Sequence, residues 1–490
     1  MPPQLALIVF VFGIAGLFYL ERRRGIPSSP VLWLPAAWVF LGASRMVSTW
    51  IGMAPSVDTP EQYLDGSPLD RVILSILLGA GLAVLLARRR RTWQLVKANG
   101  LMILFFVYCA ASVFWSDFPD VAFKRWIKAL GNVTMVFVVL TDPQPVAAMK
   151  SVLATAAFFS IPLSVLLIKY YPQLGRVYDP FAWIPLYTGV SDTKNGLGAN
   201  CLVFGLGSFW RVLVAFETKT NRLRQVVAHG TIVAMALWLF RMADSMTSLS
   251  CFVLAAALIM VIRHFGTRRP ATVHVVTGSL AFMALIGFLF QDLFTAMVQA
   301  LGRNATLTGR TDIWEDIFRQ DVNPWFGTGF ESFWLGSRAE YFWNKYWFHP
   351  NQAHNGYIET YLTLGWVGIG FLVLMIVAGY RAVVEAFRRD ASSGSLRLAI
   401  FAVSLVYNIS EAAFKVMHPV WIAFLLAITA VSDAAAEGER PGGSRPQLAT
   451  VPAPSRRGAA AGNSRRRTSA TLAATGNLSA RRSNRSEPSH

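Results

Sequence analysis

Uncharged apolar runs about 20 residues long recur from one end of this sequence to near the other, and that length lets an α-helix cross the hydrocarbon of a bilayer. Lipid gives backbone N–H and C=O groups no partners, so such runs must fold as helices that satisfy those groups internally. The composition agrees. Of 490 residues, 54% are hydrophobic and 15% charged, with a mean hydropathy of +0.43. A soluble domain carries about 25% charged residues. A membrane barrel would show short alternating segments instead, and these are absent from the sequence. The expected fold is an all-α polytopic membrane protein with 12–13 transmembrane helices, its multi-span domain covering residues 1–432.

Charge orders the spans. The formal net charge of +18 invites a nucleic-acid reading, but the basic residues fall in alternate connections, as the positive-inside rule requires. They gather at Arg22–Arg24, at Arg88–Arg91 with Lys97, at Lys219, Arg222 and Arg224, at Arg263, Arg268 and Arg269, and at Arg381, Arg388 and Arg389. The intervening connections are less basic, and residues 58–70 hold four acids and no base. Spans are expected near 4–20, 31–51, 71–87, 98–115, 123–140, 151–169, 198–216, 226–243, 247–262, 271–290, 357–380, 397–412 and 417–432. The basic cluster after residue 20 follows the apolar run rather than preceding it, which argues for a spanning helix over a cleaved signal. Residues 433–490 are rich in Ala, Gly, Ser, Pro and Arg with no aromatic residue, and read as a disordered basic cytoplasmic tail. Cys109, Cys201 and Cys251 each sit in an apolar run and form no disulfide or zinc pattern.

Candidate chemistry lies in two outer segments, near residues 170–195 and 291–356. The second is too long for a plain connection. In TGRTDIWEDIF, Asp312 and Glu315 resemble a capping box before a helix. Arg310, just ahead of it, would then stand at a helix amino terminus, where free N–H groups favour an anion. A guanidinium suits phosphate oxygens there, while a plain surface arginine is the ordinary alternative. The aromatic residues from Trp325 to Trp347 fit an interfacial belt, or stacking on sugar faces. In HPNQAHNGYIETY, Asn355 is a suitable N-cap. His354 beside it is favoured in its neutral form and able to accept a proton; a histidine merely satisfied at the interface is the other reading. His349 and His354 do not have metal-ligand spacing. Arg176 and Lys194 are cationic candidates in the first segment, and Asp192, Thr193 and Asn195 flank a helix start that they are able to cap. Arg125, Lys128, Arg241, Asp244, Glu411 and Lys415 stand at the outer ends of spans, and charges there tend to face a cavity or a partner. Glu411 and Lys415 are spaced to pair on one helix face.

TGRTDIW, NPWFGTGFESF and HNGYIETYLTLGWVGIG, in this order within one outer loop, resemble the O-antigen ligase and polysaccharide polymerase superfamily. FWSDFPDVAFKRWIKALGN and SDTKNGLG resemble its exopolysaccharide polymerase branch, of the succinoglycan-extending kind. The resemblance covers roughly residues 100–430. It implies a GT-C-like multi-span glycosyltransferase of the bacterial inner membrane, with its site and the 291–356 loop facing the periplasm. The implied donor is a glycan on undecaprenyl diphosphate, and the acceptor is a hydroxyl of another lipid-linked repeat unit or, in ligases, of lipid A core. Metal and other cofactors are not expected. Membrane lipids, a flippase and a chain-length co-polymerase are the implied partners, and nucleic acid is not. Carried over to this sequence, Arg310 and His354 are the catalytic candidates. Arg176, Lys194, Asn195, Asn355 and Glu411 are the candidates for holding diphosphate or glycan. A ligase of the same superfamily is the nearest alternative, and a transporter of polar or lipid-linked solutes is the alternative from another class.

Overall fold

The computed structural model describes residues 1–22, 29–53, 66–178, 183–217, 221–266, 271, 274, 278 and 308–431. All but three residues of the span expected at 271–290, loop residues 291–307 and the 433–490 tail lie outside the described residues, as does the side chain of Arg310. The described residues are mostly helical: α1 (Pro3–Glu21), α2 (Trp33–Ala43), α3 (Pro68–Ala87), α4 (Arg89–Ala98), α5 (Gly100–Ala111), α6 (Pro119–Leu140), α7 (Pro145–Tyr170), α8 (Lys194–Glu217), α9 (Arg222–Ala243), α10 (Met246–Val261), α11 (Thr308–Phe318), α12 (Gly336–Lys345), α13 (Gly356–Arg389), α14 (Ala391–Ser410) and α15 (Pro419–Ile428). Two three-residue antiparallel strands, Arg176–Tyr178 and Pro185–Tyr187, form a small hairpin after α7.

The all-α multi-span class is the one expected, but the helices divide the apolar sequence differently. Among the described residues eight helices are long and apolar enough to cross a membrane. A ninth span arises if α4 and the helix Gly100–Trp115, bent by 88° from each other, are taken as one. α4 carries Arg89, Arg90, Arg91 and Lys97, and its basic amphipathic composition suits the bilayer surface. The runs at 31–51 and 417–432 become the short helices α2 and α15. The reason is tertiary. Arg397, buried in α14, donates its Nε–H to the Ala427 carbonyl (2.8 Å) and also bonds the Thr429 carbonyl, so it terminates α15. Asn99 and Ala430 exchange a pair of bonds there (3.0 and 2.8 Å). Trp38 of α2 is fully buried against Gly131 and donates to Asn132 Oδ1 of α6 (2.8 Å).

α13 is broken near its start. Gly365 has φ +66, ψ −168, and the flanking helical halves meet there at a kink. Residues 323–330, NPWFGTGF, run into the break and take over its hydrogen bonds. The N–H groups of Trp366 and Val367 go to the carbonyls of Pro324 and Trp325 (2.9 and 3.1 Å), and those of Thr328 and Gly329 go to Leu362 and Thr363 (both 2.9 Å). Tyr108 OH takes the Leu364 carbonyl (2.9 Å). An opened helix inside a membrane protein needs such substitution, because an orphaned backbone group is costly. Glycine is required for the approach. A Cβ on Gly365 would lie 2.2 Å from the Trp325 carbonyl, and one on Gly327 would lie 2.4 Å from the backbone of Thr363.

The loop has its own small core of Ile313, Ile317, Phe333, Trp334, Phe342, Ala353 and Leu362. Asp316 is buried beneath it, held by Lys345 Nζ (2.8 Å) and Tyr346 OH (2.6 Å). The capping box expected from Asp312 and Glu315 is not what forms. α11 already includes Thr308, which leaves Asp312 inside the helix and Arg310 within its first turn. At the opposite, basic end of the bundle, Arg211 meets Glu21 (2.6 Å), and His229 meets the other Glu21 oxygen (3.2 Å).

Candidate active site

The His-Asn-Gly triplet opens α13, and each residue has a separate task. Asn355 is the N-cap: its Oδ1 accepts the N–H groups of Tyr357 (2.9 Å) and Ile358 (3.0 Å), and its Nδ2 donates to the Ile409 carbonyl (2.8 Å). This locks the start of α13 to the end of α14. Gly356 lies against Asn408 of α14, so closely that a Cβ would fall 2.0 Å from Asn408 Oδ1. That oxygen accepts the N–H groups of Ala413 (2.9 Å) and Phe414 (2.8 Å), which shapes the turn of residues 411–418. His354 adopts left-handed backbone, φ 52, which aims its ring at that turn.

There His354 Nδ1 lies 3.4 Å from Glu411 Oε2. Glu411 Oε1 accepts Asn195 Nδ2 from the first turn of α8 (3.1 Å). The structure therefore joins three sequence candidates, from α8, the α13 entry and the 411–418 turn. The imidazole remains 26% exposed while the carboxylate is 7% exposed, so the ring is the reachable member of the pair. Gln352 Nε2 lies 3.4 Å from the same Nδ1, leaving Nε2 as the nitrogen for an incoming group. The nearby His418 is different in kind. Burial pushes its imidazole down to about 4, and its Nδ1 accepts the Val420 N–H (3.3 Å), so it stays neutral as a helix cap.

A cleft adjoins this group, lined by Phe330, Glu331, Gly356, Glu359, Thr360, Lys415 and Trp421. Arg125 donates to the Glu331 carbonyl. Of the six outer-end charges named from the sequence, Lys415 lines this cleft, Arg125 is tied to its wall at Glu331, and Glu411 belongs to the adjoining His354 group. Residues 411–418 are not helical, so the helical spacing offered for a Glu411–Lys415 pair does not apply. Glu331 (φ 54), His354 (φ 52) and Met417 (φ 61) all have left-handed backbone. Such strain costs on the order of 1–3 kcal/mol each, and it clusters where structure is held for a purpose.

Sequence reasoning missed Glu359 and Asn408. Glu359 is the acid of HNGYIET and sits in the first turn of α13. Its carboxylate takes Trp334 Nε1 (3.0 and 3.2 Å) and the Ala353 N–H, which pins the residue before His354 to the loop core. An acid in a first helical turn is usually read as a dipole partner, so only the fold shows this bond. Asn408 lies in an otherwise apolar helix, and a buried amide there was the available signal.

The remaining candidates stand apart. Arg176 donates its Nε–H (3.1 Å) and an Nη–H (2.8 Å) to the Ile168 carbonyl and lies over the Tyr187 ring at 5.3 Å. It closes the end of α7 and anchors the hairpin, and no contact brings it to His354. Lys194, half-buried, begins α8, whose start is capped by Thr193 Oγ1 accepting the Gly196 N–H (3.0 Å). Asp192 stays at the rim, 3.9 Å from Arg45. Among the described residues no group of three His, Cys, Asp or Glu side chains is arranged to hold a metal ion.

Residues 230–373 match the family model described as O-antigen ligase, a range that includes Arg310, His354 and Asn355 and stops short of Glu411. The exopolysaccharide production protein ExoQ of Rhizobium meliloti (strain 1021) is 23% identical over 285 residues, covering 56% of this chain and 63% of that protein. A segment of the chain thus matches the O-antigen ligase model, and the chain is similar to the exopolysaccharide branch of the O-antigen ligase and polysaccharide polymerase superfamily.

Proposed function

We propose that this protein is a polymerase of bacterial exopolysaccharide in the inner membrane. It transfers a glycan from undecaprenyl diphosphate to a hydroxyl of another lipid-linked repeat unit on the periplasmic side. The observation that carries the reading is the His354–Glu411 pair, with an open imidazole backed by a covered carboxylate. In the reaction the acceptor oxygen bonds to the anomeric carbon, and the bond from that carbon to the diphosphate oxygen breaks. The acceptor proton passes to His354 Nε2, and Glu411 stabilises the imidazolium that results. The bonding pair leaves with the diphosphate, whose growing charge is met by cations. These stabilise the transition state more than the ground state.

Arg310, in the first turn of α11, combines a guanidinium with a helix amino terminus and is the first choice for that clamp. Lys194 in the first turn of α8, one residue from Asn195, is the second. Arg176 has a weaker claim, because the Ile168 carbonyl already takes two of its N–H groups.

The test is to incubate purified protein with lipid-diphosphate repeat units and look for a ladder of products. Arg310→Ala and His354→Ala should insert normally and give no ladder. Near-normal chain growth in both variants would remove the assigned roles. Deleting the gene separates polymerase from ligase: polymerase loss leaves single repeat units, and ligase loss leaves long chains on the carrier lipid.

A further inference from the structure

Residues 326–328, just before the Phe330 and Glu331 that line the cleft, help to line an open groove of about 480 Å³. That is within the range of small-ligand sites, about 300–1,000 Å³. Its walls are the exposed rings of Trp115 and Phe326, with Asp117, Asp321, Asn323 and Arg338 around them. The rings meet at 65° with centroids 5.7 Å apart, and Trp115 Nε1 fixes the pair by donating to the Phe326 carbonyl (3.0 Å). Asn323 Oδ1 accepts the N–H groups of Trp325 and Phe326 (3.0 and 3.1 Å), which holds this corner in place. Asp117 pairs with Arg338, while Asp321 is exposed and has no ion pair among the described residues.

The geometry points to a subsite for a neutral sugar ring of the acceptor glycan. A carbohydrate presents a flat C–H face and a rim of hydroxyl donors, and an aromatic wall flanked by carboxylates and an amide matches both. Exposed aromatic rings on a membrane protein also fit a bilayer belt. Asp321 decides against that reading: Arg338 offsets Asp117, but the Asp321 carboxylate would face lipid phosphates of like charge, whereas sugar hydroxyls donate to it. The inference rests on the glycan-transfer reading. It adds where the acceptor is held: Gly327 and Thr328 line the groove, and Phe330 and Glu331, further along the same strand of chain, line the cleft.

The test uses full-length protein in lipid nanodiscs with lipid-linked repeat units. It also uses the free repeat-unit oligosaccharide, released from the lipid and titrated by calorimetry. Asp321→Asn should raise the apparent KM for acceptor about tenfold, the loss of one hydrogen bond to a charged group. It should leave kcat near wild type and shorten the ladder. Trp115→Ala should do the same, and Trp115→Phe should restore the ring face and most of the affinity. Unchanged acceptor KM and oligosaccharide binding in Asp321→Asn and Trp115→Ala would overturn the subsite. So would a Trp115→Ala effect confined to membrane yield, the sign of a lipid belt. A wild-type protein that makes no ladder but binds the oligosaccharide, with binding lost in Asp321→Asn, would remove the transfer reading and keep the groove.

Discussion

Replacing Gly356 by alanine should dismantle the candidate site from a distance. The added Cβ would lie 2.0 Å from Asn408 Oδ1 and 2.8 Å from its Cγ. Asn408 is fully buried, and its Nδ2 is tied to the Ser404 carbonyl (2.7 Å), so it has no solvent to swing into. Restoring contact distance requires a shift of about 1 Å, which is enough to break hydrogen bonds of ordinary length. The bonds at stake are those from the Ala413 and Phe414 N–H groups, which shape the turn carrying Glu411. Two buried donors left unpaired cost about 1–3 kcal/mol each, and overpacking adds about 1–3 kcal/mol. Alanine returns about 1 kcal/mol of helix propensity. The net destabilisation is roughly 2–8 kcal/mol, concentrated in the 411–418 turn. The assay pairs thermal unfolding in detergent with initial rates of ladder formation. Gly370→Ala in the same helix is the control, since nothing lies within 4 Å of a Cβ there. Gly356→Ala should lose most activity and unfold at lower temperature, while Gly370→Ala matches wild type. A Gly356→Ala protein as stable and as active as that control would refute the reasoning.

Removing the carboxylate by Glu411→Ala should slow chain growth about 10- to 100-fold, the range for losing a charged hydrogen-bond partner, with membrane insertion intact. Initial ladder rates measure it. Gly365→Ala should expel residues 323–330 from the break in α13, because its Cβ would overlap the Trp325 carbonyl. Faster hydrogen exchange at the Trp366 and Val367 amides would report that loss. The loop core should also respond to pH. Burial acts to raise the Asp316 carboxyl, but the bonds from Lys345 and Tyr346 and the charges of Lys345 and Arg319 outweigh it and hold it below the usual aspartate value. The bond to Asp316 in turn holds the Lys345 ammonium above its usual value. A depressed carboxylate gives stability that is present above the unfolded value, about 3.9, and lost as pH falls through the lower folded value. Proteolytic cleavage between residues 312 and 352 should therefore stay slow at neutral pH and accelerate only below about pH 4. Asp316→Asn should be cut faster at pH 7 and lack that acid step.

The sequence by itself determined the membrane class, because apolar runs of spanning length are a local property and the backbone in lipid has few ways to satisfy its groups. It also determined the N-cap at Asn355, since capping is set within four residues. It marked His354 and Arg310 through short motifs. What it could not fix depended on distant partners. The runs at 31–51 and 417–432 look like full spans, yet Asn132, Arg397 and Asn99 hold the short helices α2 and α15 across the bundle. NPWFGTGF reads as a loop, and only tertiary contacts explain its glycines: Gly327 lies against the break in α13 and Gly329 against Ser116. The pairing of Glu411 with His354 joins residues 57 apart, and the bond from Asn195 spans 216. Helical spacing says nothing of either bond, because α14 ends at Ser410, where the buried Asn408 amide holds the following turn out of the helix.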